Sequence, residues 1–152
     1  MMIFRGMELK SISAQDAPIR CLPLEVSSNT KGTSGEYYII SDLLRQGVEC
    51  YSPVSDEVNT DLVVYHRGAF RRIQIKTIGV YRSHTQTSIE VRMRENKQNN
   101  HIDYVAIYLW MDGLVAYYPY DGKEKVITLA LRTAKNHQTT NRKWFYEYQE
   151  LT

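Results

Sequence analysis

The chain is poor in the residues that mark several large protein classes. It holds two cysteines in 152 residues, Cys21 and Cys50, at neither a metal-binding nor a redox spacing. A disulfide is therefore the weaker reading, and reduced thiols in a cytoplasmic protein the stronger. No apolar run is long enough to cross a bilayer. Met1–Met7 contains one arginine and no apolar segment, so no signal peptide is expected. The four histidines, His66, His84, His101 and His137, lack zinc-ligand spacing. Lys31-Gly32-Thr33-Ser34-Gly35 has neither the preceding strand nor the full spacing of a phosphate loop. There is no Ser/His/Asp nucleophile elbow, no internal repeat and no low-complexity segment.

Net charge is also small, at +2, but it is unevenly placed. Residues 1–64 sum to −4, residues 65–100 to +6, and residues 101–152 to zero. A basic block of this kind, taken alone, reads as a solvated face. Beside a catalytic site it points to a polyanionic substrate. With 43% hydrophobic and 24% charged residues, the chain is globular and long enough for one domain with a core.

The stretch Asp61–Lys76 supplies the candidate site. Two β-rich runs, 61–65 and 70–77, flank His66-Arg67-Gly68-Ala69, which predicts a hairpin. With Arg67-Gly68 as the turn, Tyr65 faces Phe70 and Asp61 faces Gln74. Opposed side chains lie about 4.5–5.5 Å apart at Cβ. Lys76 follows Gln74 by two residues and shares its face. One surface thus gathers a carboxylate, an amide and an ammonium, while Arg71, Ile73, Ile75 and Thr77 form the more apolar face. A carboxylate can hold a hard cation, and a lysine can steady a nucleophilic water or the charge on a phosphate. That combination points to metal-assisted hydrolysis.

The rest of the chain falls into place around this hairpin. Residues 1–25, broken by Pro18 and Pro23, read as an extended arm, and residues 26–152 as a single domain. Ser27–Thr30 is a cluster of N-cap residues, Lys31–Gln46 reads as a helix, and Gly47 as its stop. Ile39, Ile40, Leu43 and Leu44 are expected on one buried face, with Glu36 along it. Val48–Ser52 is a short candidate strand. The β-like run after Lys76, through Tyr81, and the alternating run Thr87–Arg94 predict a long ribbon leaving the core. Arg82, His84 and Gln86 would lie between its strands, and Arg92 and Arg94 on the returning one. Such a ribbon fits a DNA major groove, and Arg71 lies nearby on the hairpin. Tyr104–Trp110 is a buried strand with Leu114–Tyr118 as its hairpin partner. Lys125–Leu131 reads as a short strand or helix. The polar stretch 133–143 offers Lys135, Arg142 and Lys143 to phosphates. Trp144, Phe145, Tyr146 and Tyr148 are expected to anchor the C-terminus.

In order, Gly35-Glu36, Gly47, Pro53, Asp61-Leu62-Val63-Val64 and Gln74-Ile75-Lys76 resemble the PD-(D/E)XK nuclease superfamily. Restriction endonucleases and Holliday-junction resolvases belong to it. Over roughly residues 26–110 the pattern is most similar to the homing-endonuclease branch encoded in bacterial group I introns, where the lysine motif carries Gln. The resemblance implies an α/β, restriction-endonuclease-like core, with a central mixed sheet flanked by helices, to which the ribbon is added. It implies site-specific, Mg²⁺-dependent hydrolysis of double-stranded DNA, with Mn²⁺ able to substitute. Asp61 would be the principal metal ligand, with the Ile75 backbone carbonyl beside it. Lys76 would position or activate the attacking water, and Glu36 would be an accessory metal or water ligand. Gln74 departs from the usual acid: an amide oxygen still ligates a hard cation, with one negative charge fewer. The branch implies a homo-oligomer, a tetramer, or otherwise a dimer. A restriction endonuclease or Holliday-junction resolvase is the alternative within the class; a catalytically inactive nuclease-fold DNA-binding module is the reading of another class, and Gln74 is what favours it.

Overall fold

The architecture starts from one tight turn. Leu62–His66 (β2) and Ala69–Ile78 (β3) form an antiparallel hairpin in a computed structural model that describes residues 26–55, 59–80, 87–94, 101–133 and 141–152. Arg67 and Gly68 form the turn, with φ of 50° and 79°. Positive φ at both central residues is the type I′ geometry, whose twist suits a two-residue hairpin. The turn then fixes the register, with Tyr65 opposite Phe70, Val63 opposite Arg72 and Leu62 opposite Ile73. This is the pairing expected from the sequence.

Glu49–Tyr51 (β1) pairs with β2 on one side. On the other, β3 runs parallel to Tyr104–Leu109 (β5), from Ile73 beside Tyr104 to Ile78 beside Leu109. Leu114–Pro119 (β6) closes the edge antiparallel to β5, so the mixed sheet has the order β1-β2-β3-β5-β6. Ser88–Arg92 (β4) and Val126–Ala130 (β7) make a separate antiparallel pair.

Both faces of the central sheet are covered, which explains the unbroken apolar run of β5. On one face lies the helix Ser28–Arg45 (α1), begun by the Ser27 hydroxyl accepting the Thr30 amide at 3.1 Å and followed by Gly47 at φ 77°. It starts three residues before Lys31, because Ser27 and not Thr30 is the cap. Its Ile39 and Leu43 are sealed against Leu62, Val64, Ile73, Ala106 and Tyr117. Leu44 is instead 56% exposed, and Glu36 is exposed too. The buried stripe is Gly35, Ile39 and Leu43, spaced by four. Glycine has no side chain to register in a hydropathy pattern, so the stripe's true direction is hidden in the sequence.

The opposite face is covered by a sheet where helices were expected, α1 being the one α-helix among the described residues. Ile89, Val91, Ile127 and Leu129 pack on Val105, Ile107, Leu109, Ala116 and Tyr118. Of the expected ribbon, residues 81–86 lie outside the described residues, and the returning run belongs to the second sheet. β4 pairs with β7, residue for residue from Ser88–Ala130 to Arg92–Val126, rather than with the run after Lys76. The physical reason is its alternation: Ile89 and Val91 form an apolar face that a ribbon in solvent would leave wet. Residues 125–131 accordingly contain a strand and no helix. At the C-terminus Phe145 is buried and Tyr148 meets Tyr118 edge-on at 5.2 Å, whereas Tyr146 is exposed and stacks on Trp144.

Candidate active site

β2 and β3 part company at the residue that matters. Their pairing stops at Leu62–Ile73, while β3 continues to Ile78 along β5. Just past the last pair, the Asp61 amide donates to the Ile73 carbonyl at 3.0 Å, one residue short of the Gln74 that the β2–β3 register would have set against it. The next β3 amide on that edge, Ile75, donates to Asp61 Oδ2 at 2.6 Å. The side chain thus takes over a ladder position that the β2 backbone has left. A bond of this kind between an amide and a carboxylate is short and directional, and it pins the carboxylate to the strand edge. Asp61 is otherwise exposed to solvent.

Alternation along β3 then places Gln74 and Lys76 together on one face, where the Asp61 charge acts on Lys76, and Ile73, Ile75 and Thr77 on the face covered by α1. Gln74 Oε1 is buried and meets no hydrogen-bond donor among the described residues. Of the hairpin's side-chain atoms in that condition, it is the one on the Lys76 face. Lys76 is half-buried, and burial pulls its ammonium below the ordinary lysine value. The Asp61 charge draws it partly back up, and Arg94 pushes it further down.

The other expected site residues divide into groups. Glu36 follows Gly35 on α1, so it comes from the layer on the far side of β3 from Gln74 and Lys76. A Cβ on Gly35 would lie 2.0 Å from Thr77 Oγ1, so α1 crosses β3 almost backbone to side chain there. Arg94 acts electrostatically on Lys76 and so belongs near the site. Arg92 points outward from β4. Arg71 lies on the α1 face of the hairpin, 3.8 Å from Asp103. Arg142 packs over the Trp144 ring at 5.3 Å. Lys143 is committed to the protein. Its ammonium donates to Glu124 Oε1 at 2.6 Å and to the Tyr118 hydroxyl, and both hold it above the ordinary lysine value. Arg82, His84, Gln86 and Lys135 lie outside the described residues.

Sequence reasoning passed over Arg72 and the rings of Tyr51, Tyr65 and Phe70, all on the site's own face. The signal was available: counting back by two from Gln74 reaches Arg72 and then Phe70.

No three His, Cys, Asp or Glu side chains converge as a metal cluster among the described residues. The donor set on the hairpin is of another kind, one exposed carboxylate and one unpartnered amide oxygen. Hard oxygen donors in that number fit a cation that keeps much of its water, as Mg²⁺ does.

Comparison with known proteins bears on this arrangement. The sequence profile described as PD-(D/E)XK endonuclease matches residues 26–151. No curated protein matches the chain. Among solved structures, the bacterial homing endonuclease I-Ssp6803I is similar with a TM-score of 0.63 and 20% identity, over 82% of this chain and 88% of that one. Hjc, a Holliday junction resolvase from Archaeoglobus fulgidus, gives a TM-score of 0.44 and 15% identity, over 66% and 84%.

Proposed function

This chain belongs to the PD-(D/E)XK endonuclease family, and from that premise we propose that it is a site-specific, metal-dependent endonuclease of the homing type, acting on double-stranded DNA. The observation that carries the reading is the Asp61 carboxylate bonded to the Ile75 amide at 2.6 Å, between Gln74 and Lys76 on β3, with its charge acting on Lys76. The homing assignment extends to this chain the activity named for I-Ssp6803I, whose fold it shares.

Asp61 Oδ, Gln74 Oε1 and the Ile75 carbonyl would hold a divalent cation, Mg²⁺ with Mn²⁺ as a substitute. Such a cation, when bound, neutralises charge on the scissile phosphate and eases deprotonation of water. The chain's own residues do the rest. Asp61 orients the donor set from a fixed strand edge. Lys76, its ammonium eased toward the neutral form by burial, positions the attacking water and meets the charge that develops on the phosphate. Arg94 adds positive charge from the second sheet's side. Glu36 is an accessory ligand on the strength of the resemblance alone. Cutting both strands takes two such sites, so the reading includes a homo-oligomer, a dimer at least and a tetramer by resemblance.

The test uses a randomised library of duplex DNA, with cut ends identified by sequencing. Wild-type protein with Mg²⁺ should cut at a defined sequence, and chelation should stop it. Lys76→Ala should slow cutting by roughly 10²–10⁴-fold, as loss of a proton-transfer group does, while leaving duplex affinity nearly intact. A Lys76→Ala protein that cuts normally would sink the site assignment.

A further inference from the structure

We propose that the outer half of the same sheet face is a stacking platform for unpaired nucleobases, set beside the cutting residues; this rests on the nuclease reading above. Phe70, Tyr51 and Tyr65 are 64%, 46% and 40% exposed. They form one cluster, with the Phe70 ring 5.1 Å from Tyr65 and 5.8 Å from Tyr51 between centroids. The strand register orders the face. From the turn come Phe70 and Tyr65, then Arg72, Val63 and Tyr51, then Gln74, then Lys76. At the usual strand rise, Phe70 lies about 13 Å from Gln74. The rings and the cutting row are therefore one continuous surface, with Arg72 between them.

Charge says what occupies it. Arg72 and Lys76 lie on this face and Arg67 at its turn, while Arg71 lies on the α1 face. Three acids reach this hairpin and each is engaged, Glu49 by the Tyr51 hydroxyl at 2.7 Å, Asp103 by the Arg72 amide at 2.8 Å and Asp61 by the Ile75 amide at 2.6 Å. Cations interleaved with exposed rings suit a single strand, with phosphates on the cations and bases on the rings. Paired bases are already stacked within the duplex and offer only their edges. The ligand that uses these rings is thus a base opened or flipped from the duplex next to the cut. A second copy of the chain on the same patch, related by a two-fold axis, would bring the Arg67 and Arg72 charges of the two copies together.

Full-length protein, without divalent metal, is titrated into a fluorescent oligothymidine and into a duplex of equal length, with melting temperatures confirming that each variant is folded. Wild type should bind both. Phe70→Ala and Tyr51→Ala should each weaken the single strand by roughly fivefold or more, the effect of losing one stacked base, with duplex affinity little changed. Phe70→Trp should restore it. A 2-aminopurine in the strand should be quenched by wild type and far less by Phe70→Ala. Equal or absent effects on both ligands would overturn the platform. So would sedimentation showing that Phe70→Ala merely dissociates an oligomer. Wild type that binds neither ligand would overturn the nuclease reading along with it; wild type that binds while Phe70→Ala is indifferent overturns the platform alone.

Discussion

Lys76 is charged where the protein would rather it were not. Burial depresses its pKa from 10.5, and Asp61 only partly offsets this. The sign of the stability effect follows. Below the lowered value the lysine is protonated whether folded or unfolded, and the penalty is present in full. As pH rises from that value toward 10.5, the unfolded chain binds more protons and stability increases. Lys76→Met, which keeps the aliphatic stem, should therefore raise the melting temperature at pH 7 by about 2–4 °C per kcal/mol relieved. That gain should shrink toward pH 10. Thermal melts without divalent metal check it, and a Met variant no more stable than wild type at pH 7 refutes it. Gln74 shows the same tension in a neutral group, since its buried Oε1 lacks a donor among the described residues. Unmet polar groups of this kind cost about 1–3 kcal/mol and persist where something else makes use of them.

Among the elements, α1 is held to the sheet at its least conspicuous residue. Gly35→Ala would drive a methyl to 2.0 Å from Thr77 Oγ1 and 3.1 Å from the Tyr108 ring. Overpacking of this kind costs about 1–3 kcal/mol. The double variant Gly35→Ala/Thr77→Ala should recover part of the loss, because the clashing oxygen is gone and the two sites share one contact. Denaturant midpoints of the four proteins in the cycle measure this, and strict additivity would refute it. The contrast with the hairpin shows which elements the sequence discloses. β2, β3 and their turn are local: Arg67-Gly68 and a period of two suffice to set the register from His66–Ala69 to Leu62–Ile73. The stop of α1 at Gly47 and the β5–β6 hairpin are local in the same way. The partner of β4 is not, since Thr87–Arg94 shows only that it has one apolar face and β7 lies far along the chain. Glu36 is exposed where the buried face was expected, because that expectation depended on a stripe whose first member, Gly35, has no side chain.

At the scale of the whole molecule, charge decides association. The +6 of residues 65–100 is set against −4 before it and zero after it. DNA affinity should therefore fall steeply with salt, the logarithm of the binding constant dropping by about 0.9 per phosphate neutralised for each tenfold rise in salt. Duplex titrations between 50 and 200 mM salt, roughly the range over which that loss is large, measure the slope. A flat response would remove DNA as the ligand. Lys143, already paired with Glu124, should contribute nothing to the slope, whereas Arg72→Ala should reduce it by about one phosphate's worth.

The pairing of β4 with β7 also has a consequence for how the molecule comes into being. During synthesis the hairpin, Asp61, Gln74 and Lys76 emerge early, and β4 soon after. The strand that completes the second sheet does not exist until Ala130 has been translated. A nascent chain stalled before Val126 would carry Asp61, Gln74 and Lys76, yet Ile89, Val91 and the Val105–Leu109 face would lack their cover. Surfaces of that kind invite chaperones and aggregation. The proposed site's hairpin is thus made first and the second sheet completed last, so a truncated product would carry that hairpin without the layer that covers the sheet.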